Sequence, residues 1–379
     1  GQFTNFNSNT QNRLIKLNEN GTIDNSFNIG NGFNENVLCI ALQQDGKILV
    51  GGWFTQFNGA NKNFIARLNS DGSLDSSFNI GTGFNGEIRK IIIQADGKII
   101  IGGYFSNYNG VVQNNLVRLN QDGSLDNSFT IGSGFNGRIM TFTQQISGKI
   151  VVGGEFTNFN GIGKNYVLRL NVNGDLDSTF NMGNGFNSYV SSIKNLENGK
   201  ILIVGEFTQY NGSISNRIIQ LNQDGTVDYL FNIGNGFNHD VNEFLTNFET
   251  NSLEVQQDGK IWICGQYSIF NNIDSNSLIR IKGLSVLNNN ILNIEKQINI
   301  FPNPTNSFLC IDLGAQNTHE NVYFHIYNNI GQTIHIGKIK SQITMINLDN
   351  FITQYGLYFI KIYNGVGENI ITKKIVFNK

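Results

Sequence analysis

Five phenylalanines, Phe27, Phe78, Phe129, Phe180 and Phe231, stand 51 residues apart, and each is followed three residues later by Gly30, Gly81, Gly132, Gly183 or Gly234. The turn glycines Gly46, Gly97, Gly148 and Gly199 keep that spacing; Gly259 comes 60 residues on, because nine extra residues fall around Glu243 to Ser252. A unit of this length cannot bury its own faces, so copies must stack on one another, as propeller blades or solenoid turns do.

Each unit holds two hairpins. In Leu38-Cys39-Ile40-Ala41-Leu42-Gln43-Gln44-Asp45-Gly46-Lys47-Ile48-Leu49-Val50, alternating apolar residues flank a three-residue loop whose Gly suits the left-handed position after a type I turn. These are strands A and B. Phe64 to Asp75 repeats the pattern around Ser70-Asp71-Gly72 and supplies strands C and D. With three residues in that loop, Asn69 faces Ser73, Leu68 faces Leu74, and Arg67 faces Asp75. The same arithmetic pairs Lys16 with Asp24, Arg118 with Asp126 and Arg169 with Asp177, and Gln220 with Asp228 breaks the series. These pairs read as cross-strand contacts worth about 0.2–1 kcal/mol each if exposed, with bonding of the Asp to nearby backbone amides as a rival role.

Four short strands per unit, with no 3.6-residue period anywhere in the repeats, predict an all-β propeller of about six blades. The 43 Gly and 62 Asn, against two Pro, fit a chain dense in turns. The chain begins inside a repeat, Gly1-Gln2-Phe3 aligning with Gly52-Trp53-Phe54, which leaves room for an upstream blade.

Asp96-Gly97-Lys98, Gly102-Gly103-Tyr104-Phe105, Arg118-Leu119-Asn120 and Asp122-Gly123-Ser124-Leu125-Asp126-Asn127-Ser128-Phe129 together resemble the delta-60 repeat family. The resemblance covers residues 1–283 and implies a secreted bacterial repeat protein. Ser147 and Asn198 for the first Asp, Gln220 for the Arg, and Val204 and Cys264 for the first Gly are departures that mark drifted copies.

The period ends at Gly283. Residues 284–297 are Asn-rich and read as a linker, and residues 298–379 alternate in roughly seven short strands, as a small antiparallel β-sandwich would. Phe301-Pro302-Asn303-Pro304-Thr305, Tyr327-Asn328-Asn329-Ile330-Gly331-Gln332, Ile346-Asn347-Leu348, Gly356-Leu357-Tyr358-Phe359-Ile360-Lys361 and Lys373-Lys374-Ile375-Val376 occur in the order of the type IX secretion C-terminal sorting domain, which this segment resembles. The resemblance implies recognition by the type IX secretion machinery and release or anchoring at the outer-membrane surface. The residues carrying it are Pro302, Asn303, Pro304, Gly331, Gly356, Tyr358, Lys373 and Lys374.

Charged residues are 14% of the chain and balance to −2, which removes the electrostatic basis for nucleic-acid binding. Aliphatic runs such as Ile99-Ile100-Ile101 end far short of the ~20 residues that cross a bilayer. Three widely spaced cysteines, Cys39, Cys264 and Cys310, support no disulfide framework or zinc knuckle and read as free buried thiols.

One histidine, His239, lies in the repeats, too few for a triad or a three-His metal site. The Asx-x-Asp-Gly loops lack a complete calcium ligand set, so no metal or cofactor is expected. Glu155 and Glu206 occupy equivalent positions of adjacent blades, which puts them beyond the ~5–10 Å of paired-carboxylate glycosidase chemistry unless they lie near the axis. Recurrent aromatics at Phe57, Tyr108, Phe159, Tyr210 and Phe270 read as scaffold packing. One position after the Gly pair varies instead: Gln2, Trp53, Tyr104, Glu155, Glu206 and Gln266. Trp53, Tyr104, Glu155 and Glu206 of this row, with His239 and Asp240 of the insertion, are the candidate ligand-binding set, since aromatic, amide and carboxylate groups suit a sugar. The expected function is that of an exported, non-enzymatic propeller binding a glycan or protein ligand. The alternative is an accessory glycan-binding or glycan-degrading protein.

Overall fold

One tight hairpin founds each repeat. Strand A (Val37–Leu42) pairs antiparallel with strand B (Ile48–Gly52), with Leu42 opposite Ile48. The loop closes through Gln43 N to Lys47 O at 2.8 Å, with Gly46 at φ 82°. Strand C (Ile65–Leu68) adds to the far side of B, so the sheet order is A-B-C. The same sheet recurs as Glu87–Ile93, Ile99–Tyr104 and Leu116–Leu119, as Ile139–Gln144, Ile150–Gly154 and Val167–Leu170, and as Val190–Asn195, Ile201–Gly205 and Ile218–Leu221. A fifth comprises Ser252–Val255, Ile261–Cys264 and Leu278–Ile281. These five sheets and the N-terminal part-repeat account for the six repeat copies. The computed structural model describes all residues except 197, 230, 232–235, 239–251, 257–258, 266, 268, 272, 275–276, 282–297, 306, 314–321, 342, 364–368 and 379.

Strand D departs from expectation. Each D segment contributes a single bridge, Leu68 to Leu74 and Leu119 to Leu125, so each repeat sheet has three strands and not four. Past that bridge the chain turns back at once, because Ser77 N and Oγ bond Asp75 Oδ1 and close an Asx turn. Between B and C lies a further hairpin, Gln56–Phe57 with Ala60–Asn61, turning on Asn58-Gly59, both at positive φ as a type I′ turn requires.

The Gly pair explains how sheets stack. A β-carbon on Gly51, Gly102 or Gly153 would meet Ile88 Cγ2 at 2.6 Å, Phe142 Cε1 at 2.8 Å or Val190 Cγ1 at 2.5 Å, all on strand A of the next repeat. Missing side chains therefore make the sockets for these apolar knobs. The recurrent aromatics are packing residues: Phe57 is 1% exposed, and its ring centroid lies 4.7 Å from Phe33, which sits 4.4 Å from Phe54. Burial of each such side chain contributes about 1.5–3 kcal/mol.

The Arg–Asp register is as expected, but the pairs are buried. Arg67 Nε lies 2.7 Å from Asp75 Oδ2, and the side chains are only 6% and 7% exposed. Lys47, from the loop of the A–B hairpin, reaches the same oxygen at 2.9 Å, while Asp75 Oδ1 accepts Ser77. Both roles weighed for the Asp are thus held by one carboxylate. The Arg67 guanidinium also bonds the carbonyl of Gln121 in the next repeat and stacks over Phe78 at 4.6 Å. Arg118 and Arg169 repeat this cluster, binding the carbonyls of Val172 and Gln223. Lys16–Asp24, at 2.9 Å, is the exposed version.

The cysteine expectation fails at Cys264, which is exposed. It stands at the first Gly position of the last repeat sheet, where the 51-residue period ends. Cys39 is partly buried among Gly51 and Ile88, and burial pushes its thiol up to about 12.

The chain divides into two compact units, one of Gly1–Asp228, Ile233–Val255 and Trp262–Arg280, the other of Tyr229–Asn232, Gln256–Ile261 and Ile281–Lys379. In the second, Asn299–Phe301, Phe308–Asp312 and Ile343–Asn347 form a three-stranded sheet. Thr333–Lys338, Tyr323–Asn328, Gly356–Tyr363 and Asn369–Phe377 form a four-stranded one. Leu309 and Ile311 from the first meet Ile326, Ile360 and Ile362 from the second in one core, the expected seven-stranded sandwich. The predicted linker, 284–297, lies outside the described residues.

Candidate functional site

Two variable columns of the repeat lie side by side. Trp53, Tyr104, Glu155 and Glu206 end the B strands, and Asn36, Glu87, Arg138 and Tyr189 stand opposite them at the start of A. Trp53 N donates to Asn36 O at 2.8 Å, Glu87 pairs with Tyr104, and Glu155 N and Glu206 N donate to Arg138 O and Tyr189 O at 2.8 and 3.0 Å. The pairing puts every variable residue at the same end of its hairpin, opposite the Asx-Gly loop.

An open groove of about 660 Å³ spans three of these repeats, lined by Trp53 from the first, Glu87, Tyr104 and Asn114 from the second, and Asn136 and Arg138 from the third, among others. Glu87 organises it. Its carboxylate, on a residue only 8% exposed, accepts the indole N–H of Trp53 and Arg89 Nε at 2.9 Å, and forms an ion pair with Arg138 Nε at 2.7 Å. Arg138 in turn lies over the Tyr104 ring at 5.2 Å and donates to Glu155 at 3.1 Å. Two aromatic plates, Trp53 at 38% and Tyr104 at 56% exposure, are thereby oriented by one buried carboxylate.

The predicted row is only partly brought together. Trp53 and Tyr104 line the groove, and Glu155 reaches it through Arg138. Glu206 pairs with Arg217 at 3.5 Å and is not among the groove's lining residues. Burial, and then the charges of Glu206 and Glu155, push the Tyr189 phenol up. His239, Asp240 and Gln266 lie outside the described residues. Sequence comparison missed Glu87, Arg89 and Arg138, although aligning Asn36, Glu87, Arg138 and Tyr189 shows a second column as variable as the first.

A strained position also borders the site. Phe64, Asn115, Tyr166 and Arg217 hold the left-handed conformation at φ 64° to 71°, costing about 1–3 kcal/mol each, and their carbonyls accept the amides of Gly52, Gly103, Gly154 and Gly205. Asn115 lines the groove, where its Oδ1 accepts Phe105 N at 3.0 Å. Among the described residues no group of three His, Cys, Asp or Glu is placed to hold a metal ion. The Asx-Gly loops use their oxygens internally, Asp71 Oδ1 accepting Ser73 N and Oγ at 2.9 and 2.6 Å.

In the second unit, the motif pieces farthest apart in sequence meet in space. Asn303, between the exposed Pro302 and Pro304, donates to Lys374 O at 2.6 Å and accepts Val376 N at 2.9 Å. Thr305 bridges Phe377. Lys373 and Lys374 are exposed on the last strand, while Tyr358 is buried and donates to Gln354 O at 2.7 Å. Gly331, at φ 82°, closes the turn after Asn328, and Gly356 opens the strand that carries Tyr358.

Residues 1–27, 43–78, 94–129, 145–180 and 196–231 match a family model described as a β-propeller domain of unknown function, DUF5122, and residues 299–378 match a secretion system C-terminal sorting domain. No curated protein matches the chain. Among solved structures it is similar to PorZ, a surface component of the type IX secretion system of Porphyromonas gingivalis, at 13% identity and TM-score 0.44, over 95% of this chain and 48% of that one. It is also similar to the extracellular domain of the putative hybrid two-component system BT4673 from B. thetaiotaomicron, at 14% identity and TM-score 0.32, over 93% and 45%. A third is the gluconolactonase XC5397 from Xanthomonas campestris, at 12% identity and TM-score 0.33, over 71% and 80%. The chain spans about half the length of the first two. Among the described residues no helix is long and apolar enough to cross a membrane. The chain therefore belongs among proteins that join DUF5122 β-propeller repeats to a type IX secretion C-terminal sorting domain, and it is secreted or carried to the outer-membrane surface.

Proposed function

We propose that the chain is a non-enzymatic, exported binding protein: residues 1–283 form a propeller that captures a ligand, residues 284–297 a linker, and residues 298–379 the export signal read by the type IX machinery. One observation carries the binding role. Two exposed aromatics share a groove at a repeat position whose neighbours vary from copy to copy, while the surrounding scaffold is repeated. Variable side chains gathered in a groove are what recognition on a repeated frame requires.

The acidic groups support binding over chemistry. Glu87, Glu155 and Glu206 are each tied to an arginine, so none is poised as an acid–base partner of another. The test is adhesion of the purified chain to immobilised glycans and extracellular proteins, with Trp53→Ala/Tyr104→Ala beside it. The double variant should retain its fold by circular dichroism and lose adhesion at least tenfold. Equal adhesion of both proteins would place the binding surface elsewhere.

A further inference from the structure

We infer that the groove takes an uncharged saccharide, held by stacking on Trp53 and Tyr104; this rests on the binding role proposed above. The charges decide the class of ligand. Glu87 and Arg138 line the groove, and Arg89 and Glu155 stand beside them, two cations and two anions. They are paired with one another: Glu87 with Arg89 and Arg138 at 2.9 and 2.7 Å, and Arg138 with Glu155 at 3.1 Å. An anionic ligand would have to displace Glu87 and Glu155 from Arg138. A cationic ligand would find the Glu87 carboxylate buried and already engaged by Trp53 and two arginines. Neither exchange has a net electrostatic gain, because each new ion pair replaces an existing one.

What the groove offers freely is flat aromatic surface in a fixed orientation. The Trp53 indole is anchored by its N–H on Glu87, and one side of the Tyr104 ring lies under Arg138. Pre-orientation lowers the ordering cost of binding. Several amides along the wall are committed to their own loops: Asn85 Oδ1 accepts Ser106 N and Asn107 N, and Asn136 Oδ1 accepts Thr157 N and Asn158 N. An extended peptide, which needs main-chain partners, is therefore served poorly. A pyranose ring presents an apolar face to an aromatic plate and turns its hydroxyls to water. The groove volume, about 660 Å³, lies within the roughly 300–1,000 Å³ usual for small-molecule sites, enough for a short oligosaccharide.

The experiment titrates the full chain with neutral and with sulfated or sialylated oligosaccharides, following tryptophan fluorescence. The chain has two tryptophans, so a Trp262→Phe background leaves Trp53 as the reporter. Neutral saccharides should change the Trp53 emission, with an affinity that shifts less than about twofold between low and high salt, as expected where no ion pair forms. Trp53→Ala should weaken binding at least tenfold. Glu87→Gln should turn preference toward the anionic saccharides, because it removes the carboxylate that Arg89 and Arg138 share and leaves the groove with a net positive charge. Salt-sensitive binding of anionic saccharides by the unaltered protein would overturn the inference, as would neutral binding indifferent to Trp53→Ala. If no saccharide binds but the Trp53→Ala/Tyr104→Ala variant still loses adhesion to protein ligands, the saccharide inference fails and the binding role stands. If adhesion is unchanged as well, the saccharide inference and the assignment of binding to this groove both fail.

Discussion

Arg118 Nε and Asp126 Oδ2 meet at 2.7 Å across one hairpin, and the two residues are only 7% and 6% exposed. Lys98 reaches the same oxygen at 3.0 Å from the neighbouring hairpin, and the Arg118 guanidinium bonds Val172 O of the next repeat at 2.7 Å. Two hairpins and two repeats are thus joined at one carboxylate. Breaking a buried pair from one side costs about 3–5 kcal/mol where the charge is left uncompensated, and Lys98 holds the loss here to the lower end of that range. Arg118→Ala should lose stability of that order in chemical denaturation. A double-mutant cycle with Asp126→Ala should give a coupling above the ~1 kcal/mol ceiling of exposed pairs. Arg118→Gln should lose less, because in the fourth repeat Gln220 Nε2 donates to Asp228 at 2.5 Å while Lys200 supplies the charge at 2.8 Å.

Acid should act on the same clusters. Burial alone would raise the carboxyls of Asp75, Asp126 and Asp177. Bonds from a Ser or Thr hydroxyl, a Lys and an Arg outweigh it and hold all three well below the usual carboxylate range. Since the folded value is depressed, the stabilisation is complete above the unfolded value of about 3.9 and is lost as pH falls through that value toward the folded one. Thermal stability should therefore drop steeply below about pH 4, and Asp126→Asn should flatten that drop relative to its own stability at pH 7.

The glycines separate packing from turn chemistry. A β-carbon on Gly103 would lie 2.0 Å from Glu87 O, whereas one on Gly163 meets nothing within 4 Å. Gly103→Ala should cost at least about 1–3 kcal/mol, as overpacking against backbone does, and should disturb the adjoining Tyr104. Gly163→Ala should stay within about 0.5 kcal/mol. Matched melting curves of the two variants check this.

Export should depend on the second unit. Removing residues 298–379 should leave the repeat sheets folded, by their β-type circular dichroism, and hold the protein inside the outer membrane of a type IX-competent host. An unchanged extracellular yield would contradict that. Asn303→Ala, which removes the clamp to Lys374 and Val376, should lower the melting temperature of the sandwich and reduce export.

Much of this was legible in the sequence because it rests on local rules. The 51-residue spacing, the Asp-Gly loops and the alternation of apolar residues determined the A–B hairpin, and loop length alone determined that Arg67 faces Asp75. The ordered motif pieces from Phe301 to Val376 likewise identified the sorting domain without any knowledge of its fold. Trp53 and Tyr104 stood out by departing from a repeated column. Contacts set by stacking were left to the tertiary structure. Lys47 joins Asp75 across 28 residues, and Arg67 reaches Gln121 across 54, distances at which no turn rule constrains the partner. That strand D shrinks to one bridge was decided by the Asx turn at Asp75 winning over further pairing. Glu87 and Arg138 became part of the groove because the Gly sockets bring one repeat's A strand against its neighbour's B strand. Pairwise chemistry between residues 51 apart exists only once that packing has formed.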